Sequence, residues 1–269
     1  MRQPGFVLPC GWQHRRRNIS QSFDSKPTTG SRLVTNLKLF MQTQDKGPNF
    51  LKVYQLLSQV YPIPCVTERA STVLDTLIAV LLSQNTTDRN STKAFEQLKT
   101  RYADWNQVIQ APLQELEDCI RVAGLAKTKA ARLKELLETL QKERGELSLE
   151  YLRGTSAETV EHDLSRFRGI GLKTIACVEA FALGLQVFPV DTHVFRVCKR
   201  LGWIDPNCDR NQAFRSLNND VPPELRVALH FLIISHGRNV CRSRRPLCET
   251  CCLQDLCPYF SSSSQQTRH

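Results

Sequence analysis

The chain has 269 residues, 41% of them hydrophobic, and a formal charge of +10, enough material for one large domain or two small ones with real cores. It contains no run of eighteen apolar residues, which excludes a spanning helix, and its eleven cysteines, without an N-terminal apolar signal core, point to a reducing compartment rather than a disulfide scaffold. Residues 1–60 hold nine Lys or Arg against two acids and residues 61–269 hold twenty-seven against twenty-four, so +7 of the +10 lies in the first sixty residues and charge alone is weak evidence for a nucleic-acid partner.

In chain order, residues 1–47 form a leader rich in Ser, Thr, Gln, Gly and Pro with Arg15-Arg16-Arg17 at its centre. It reads as disordered, and as a candidate organellar (chloroplast or mitochondrial) transit peptide or nuclear signal. From there the patterning is helical. Residues 72–83 place Val73, Leu74, Leu77, Ile78, Leu81 and Leu82 on most sides of a helix, the signature of a buried core element. Residues 90–101 present Ala94, Phe95 and Leu98, and residues 113–122 present Leu113, Leu116 and Ile120 before Gly124. Residues 128–142 set Leu133, Leu136, Leu137 and Leu140 against a Lys/Glu face. Helices over 157–167 and 173–183 flank a Gly-x-Gly turn, a helix over 193–201 follows Asp191, and a helix over 223–235 runs toward the last cysteines. No alternating strand stands out, so the fold class is all-α with short connections. Single cysteines at 65, 119, 177 and 198 read as ordinary buried thiols, and residues 259–269 as a disordered tail.

Three features carry chemistry. The turn Phe167-Arg168-Gly169-Ile170-Gly171-Leu172-Lys173 lets the backbone fold tightly and aims the first amides of the next helix outward, where they can hold a phosphate. Lys173 stands in the first turn of that helix, and the positive helix end disfavours a second positive charge there, which favours the neutral, nucleophilic amine. Its bland alternative is a solvated surface lysine. Asp191, eighteen residues on in Pro189-Val190-Asp191-Thr192-His193, precedes a helix and reads first as its N-cap, with a second capacity to face developing positive charge. Cys241, Cys248, Cys251 and Cys257 follow the spacing C-x6-C-x2-C-x5-C. Four thiolates so spaced can close around one inorganic centre, iron–sulfur or zinc. Cys252 reads as a spectator.

Together with Leu82-Ser83-Gln84-Asn85-Thr86-Thr87-Asp88, these features resemble the endonuclease III-type helix-hairpin-helix (HhH-GPD) DNA glycosylases over roughly residues 48–258. The forms around Gln84 and Gly169 are closer to the DEMETER-type members. The resemblance implies a two-lobed fold. Residues 66–185 would form a six-helix barrel carrying the hairpin, and residues 48–65 with 186–258 a lobe built on a [4Fe–4S] cluster held by the four cysteines. It implies Lys173 as nucleophile and Asp191 as its carboxylate partner, in a monomer that acts on double-stranded DNA carrying a damaged or modified base or an abasic site. Gly169, Ile170, Gly171 and Thr174 would meet DNA at the hairpin, and Arg242, Arg244 and Arg245 would meet phosphate from the cluster loop. Gln84 or Asn85 would fill the gap left by an everted base. The implied activity is glycosylase and β-elimination lyase on damaged, chiefly oxidised, pyrimidines, with 5-methylcytosine as a lesser alternative. A scaffold that binds DNA without catalysis is the reading from another class.

Overall fold

The computed structural model describes residues 48–64 and 72–266. The leader 1–47 and Cys65 lie outside the described residues. The described residues form helices and turns with no strand. Twelve α-helices follow one another: α1 (Phe50–Val60), α2 (Val73–Ser83), α3 (Asp88–Arg101), α4 (Trp105–Gln110), α5 (Leu113–Cys119), α6 (Ala126–Arg144), α7 (Ala157–Ser165), α8 (Leu172–Phe181), α9 (Thr192–Arg200), α10 (Arg210–Asp220), α11 (Pro223–Asn239) and α12 (Pro258–Gln266). No helix among the described residues is long and apolar enough to cross a membrane.

Local chemistry sets many of the starts. Thr72, Thr87, Asp104, Ser156, Asp191 and Asp209 each accept a backbone N–H of the first turn that follows, satisfying a donor that the helix leaves orphaned. At α10 the bond is reciprocal, since the Gln212 side chain also accepts the Asp209 N–H.

Two apolar cores organise the helices. The first draws on residues from Val73 to Ala182, with the fully buried Leu77, Ile78, Leu98, Leu116, Leu133 and Leu137 among its members. The second draws on Phe50, Val53 and Leu57 of α1 and on residues from Phe188 to Leu253. Burying each such side chain contributes about 1.5–3 kcal/mol. A small third cluster, Val80, Cys177, Ala180 and Phe181, has Val227 and Phe231 of α11 packed on it. It joins the helix that carries Lys173 to the helix that leads into the cysteines.

The tail differs from the sequence reading. Pro258–Gln266 is helical, not disordered. Pro258 presets the helical φ at the first position, and the Arg200 guanidinium lies 4.5 Å from the Tyr259 ring centroid, anchoring the segment.

Candidate active site and cysteine centre

The hairpin between α7 and α8 is shaped by one glycine more than the other. Gly169 has φ +84, and a Cβ there would sit 2.9 Å from the Arg132 side chain. The positive φ favours glycine, while the Arg132 side chain would have to shift for a larger residue. Gly171 is extended (φ −107) with open space beside it, and it caps α8 without any side-chain bond. The first amides of α8 therefore face outward without a side-chain acceptor, the arrangement that suits a phosphate oxygen. Arg168 is exposed beside them.

Two residues expected among the DNA contacts turn inward. Ile170 is buried in the first core. Thr174 is buried as well, its N–H donates to Gly171 O, and its Oγ1 accepts from Gln84 Nε2 at 3.3 Å. Their side chains brace the hairpin from behind. Gln84 also donates to Gly169 O at 3.2 Å, so its amide is engaged by the hairpin. Asn85, next to it, is exposed and left-handed at φ +53.

Lys173 and Asp191 converge. Lys173 is half-buried on the first turn of α8. Asp191 is half-buried at the start of α9, where Oδ1 accepts from His193 N–H at 2.8 Å and from Val194 N–H at 2.7 Å. Its Oδ2 takes no hydrogen bond from the described residues. Burial pushes the Cys177 thiol up, the nearby Lys173 amine pulls it down, and the Asp191 carboxylate adds to the rise. His230 feels the same pair. Burial pulls its imidazole down to about 4 against the opposing pull of Asp191, with Lys173 adding to the fall. It is therefore neutral near pH 7, and its Nδ1 lies 2.8 Å from Pro189 O. A carbonyl can only accept, so the proton is on Nδ1, and the ring pins the loop that delivers Asp191. Neither Cys177 nor His230 was legible as a site neighbour from sequence, because a lone thiol or imidazole in an apolar helix reads as core.

The cysteines form a second centre. None of the cysteines among the described residues is in a disulfide. Cys241, Cys248, Cys251 and Cys257 line one cavity together with Arg200 and His236. Burial, assisted by the Cys241 and Cys257 thiols, pushes Cys251 up to about 11. Burial and the same two neighbours also raise Cys248. Such mutual repulsion between thiolates is relieved by a positive metal centre. No three His, Cys, Asp or Glu among the described residues converge as the ligand set of a single ion. Four thiols lining one cavity are the donor type and number that an iron–sulfur cluster takes. Cys252 is exposed and is not among the cavity-lining residues.

Sequence reading missed the two arginines that hold this loop. Arg196 donates to Cys241 O (3.0 Å and 3.1 Å) and to Gly237 O (2.9 Å). Arg200 donates to Cys241 Sγ at 3.2 Å, Arg242 O at 2.7 Å and Ser243 O at 3.0 Å. The helix that begins at Asp191 thus ends as the support of the cysteine loop. Arg242, Arg244 and Arg245 are exposed on that loop. Leu125 has an unusual conformation that its sequence did not announce. It is left-handed (φ +50) and 58% exposed, on the loop before α6.

Comparison with known proteins agrees with this geometry. Residues 78–223 match the HhH-GPD superfamily of base excision DNA repair proteins. A candidate DNA glycosylase of Arabidopsis thaliana is 48% identical over 172 residues, 64% of this chain and 58% of the relative, so the chain spans little more than half of that protein's length. An endonuclease III of Sulfolobus acidocaldarius is 31% identical over 190 residues, covering 70% of this chain and 82% of the relative. An endonuclease III solved in a non-covalent complex with DNA superposes with a TM-score of 0.67 at 27% identity, over 80% of this chain and 96% of that one. The chain belongs to the HhH-GPD superfamily of base excision DNA repair proteins, and within it resembles the endonuclease III type.

Proposed function

We propose that this protein is a DNA glycosylase with abasic-site lyase activity, which removes damaged, chiefly oxidised, pyrimidines from duplex DNA. The observation that carries the reading is that Lys173, in the first turn of α8, and Asp191, at the start of α9, both act electrostatically on the same buried neighbours, Cys177 and His230. A glycosylase without lyase chemistry needs only the carboxylate. The amine beside it supplies a nucleophile.

The hairpin amides and the loop arginines grip phosphate, and the target nucleotide is everted into the cleft. The Lys173 amine gives up a proton as it attacks C1′ of the sugar, the C1′–N bond breaks, and the base leaves with the electron pair and takes a proton. Asp191 Oδ2 faces the positive charge that develops at the sugar, while Oδ1 stays committed to the helix end. Loss of the C1′ ring C–O bond yields an iminium between Lys173 and the opened sugar. A C2′ proton is then removed and the C3′–O bond breaks, nicking the strand on its 3′ side. Water hydrolyses the remaining imine and frees Lys173.

Asn85 is the better candidate for the gap left by the base, because Gln84 is already bonded to the hairpin while Asn85 is exposed. Leu125 suits an apolar wedge between base steps. Cys241, Cys248, Cys251 and Cys257 would hold a [4Fe–4S] cluster, whose contribution is to order the loop that presents Arg242, Arg244 and Arg245. Protein purified without oxygen should be brown, with broad absorbance near roughly 400 nm, and stoichiometric zinc instead would refute the assignment. The compartment we propose is the nucleus or a DNA-containing organelle, testable by fusing residues 1–47 to a fluorescent reporter.

The test of function is a set of duplexes each carrying one modified base, 5-methylcytosine included, assayed for strand scission with and without alkali. Scission without alkali on oxidised pyrimidines is expected. Scission only after alkali would make the protein a glycosylase without lyase chemistry. Binding without any scission would favour the non-catalytic scaffold.

A further inference from the structure

Away from the cleft, a second lysine is buried. Lys129 of α6 is 2% exposed, and its Nζ donates to Leu82 O at 2.8 Å and to Ala123 O at 2.9 Å. Lysine is seldom buried without an ionic partner, and here only carbonyls receive it. Burial draws its ammonium down to about 8. Leu82 O lies at the C-terminal end of α2, where carbonyls lack helical partners and a cation is favoured. Ala123 O ends a short 3-10 turn, Arg121–Ala123.

Each of these carbonyls stands at the root of an unusual loop tip. Asn85 comes three residues after Leu82, and Leu125 comes two residues after Ala123. Asn85 (φ +53) and Leu125 (φ +50) are the non-glycine residues with positive φ among the described residues. A left-handed leucine is costly and persists only where its surroundings over-determine it. Lys129 therefore cross-links the roots of two left-handed loop tips, one ending in an amide and the other in an exposed apolar side chain.

We propose that Lys129 is a positioning residue for base eversion, fixing the spacing between Asn85 and Leu125 so that both enter the duplex at one lesion. This rests on the proposed function, in which the protein everts a base. Lys129 touches neither substrate nor reacting atoms, and its effect runs through the two tips.

The experiment compares Lys129→Met, which removes every donor, with Lys129→Gln, which keeps two. Borohydride trapping is measured on a single-stranded abasic oligonucleotide, which needs no eversion, and on duplex with a paired lesion. A 2-aminopurine at the target position reports eversion. Wild type should trap both substrates. The Met variant should keep single-strand trapping and lose roughly ten- to a hundredfold on duplex, together with the 2-aminopurine signal, and the Gln variant should lose less. In a Leu125→Ala background the Met substitution should cost far less than it does alone, because coupled residues are non-additive.

Equal losses on both substrates, additive losses with Leu125→Ala, or no loss would overturn the proposal. Met and Gln variants that both fail to fold would show a lysine kept for stability, and would overturn it as well. Absence of trapping by wild type on both substrates would instead strike the lyase reading itself, while trapping of the duplex alone would overturn the premise that the single strand bypasses the positioning step.

Discussion

Asp191 does two jobs with two oxygens. Oδ1 closes the start of α9 through His193 and Val194, and Oδ2 is the oxygen that the proposed reaction uses. The two are separable by substitution. Asp191→Asn keeps an N-cap acceptor, so stability should change by less than about 0.5 kcal/mol. The excision rate should nevertheless fall by roughly two orders of magnitude or more, as for loss of a group aimed at developing charge, with DNA affinity retained. Single-turnover kinetics and a DNA-binding titration would check this. Asp191→Ala should cost about 1 kcal/mol in addition. His230 gives a pH signature. Its folded pKa of about 4 lies below the ordinary 6.5, so unfolding takes up a proton between those values. Its contribution is intact above about pH 6.5 and is lost as pH falls toward 4, by up to roughly 3 kcal/mol. Melting midpoints from pH 4.5 to 7.5 should therefore decline more steeply in wild type than in His230→Asn. The wild-type profile matching the variant would refute the assignment.

At the scale of elements, the hairpin glycines separate in the same way. Gly169→Ala must accommodate φ +84 and a Cβ 2.9 Å from Arg132, and should destabilise by about 1 kcal/mol or more. Gly171→Ala meets open space at ordinary φ and should leave the melting point unchanged, while the added methyl beside the α8 amides weakens DNA binding. Thermal melts and binding titrations on both variants decide it. Legibility in the sequence also differs from element to element. The helices α2, α6, α8 and α11 were legible because their apolar residues recur at helical spacing. The helix α10 was not, since only Ala213 and Leu217 of its eleven residues are buried, although its Asp209–Gln212 capping box was a usable signal. Six-residue α4 gave too short a period to read, and α1 was passed over beside the leader. Lys173 and Asp191 could be singled out because each sits at a recognisable helix start. Lys129, His230, Arg196 and Arg200 could not, because their roles depend on carbonyls and a thiol that are, for all but one of the bonds, forty or more residues away.

Across the whole molecule, the proposed site draws one residue from each of the two cores. Lys173 stands on a helix of the first core, while Asp191 starts a helix of the second. Asp88 at the start of α3 pairs with Arg238 of α11, and the third apolar cluster adds a seam between α8 and α11. The exposed arginines of the cysteine loop belong to this scale, since they set attraction rather than chemistry. Replacing Arg242, Arg244 and Arg245 together by Ala should flatten the plot of log affinity against log salt by roughly 0.9 for each phosphate no longer neutralised. Single-turnover cleavage of saturated complexes should be unchanged. An unchanged slope would remove these residues from the interface.

The central claim is that the Lys173 amine forms a covalent bond with the sugar. Borohydride reduction of the protein mixed with duplex DNA bearing an abasic site or thymine glycol tests it most directly. A stable protein–DNA adduct is predicted for wild type, and none for Lys173→Gln, which should still bind the duplex. Wild-type protein that binds damaged duplex and yields neither adduct nor strand cleavage would contradict the account.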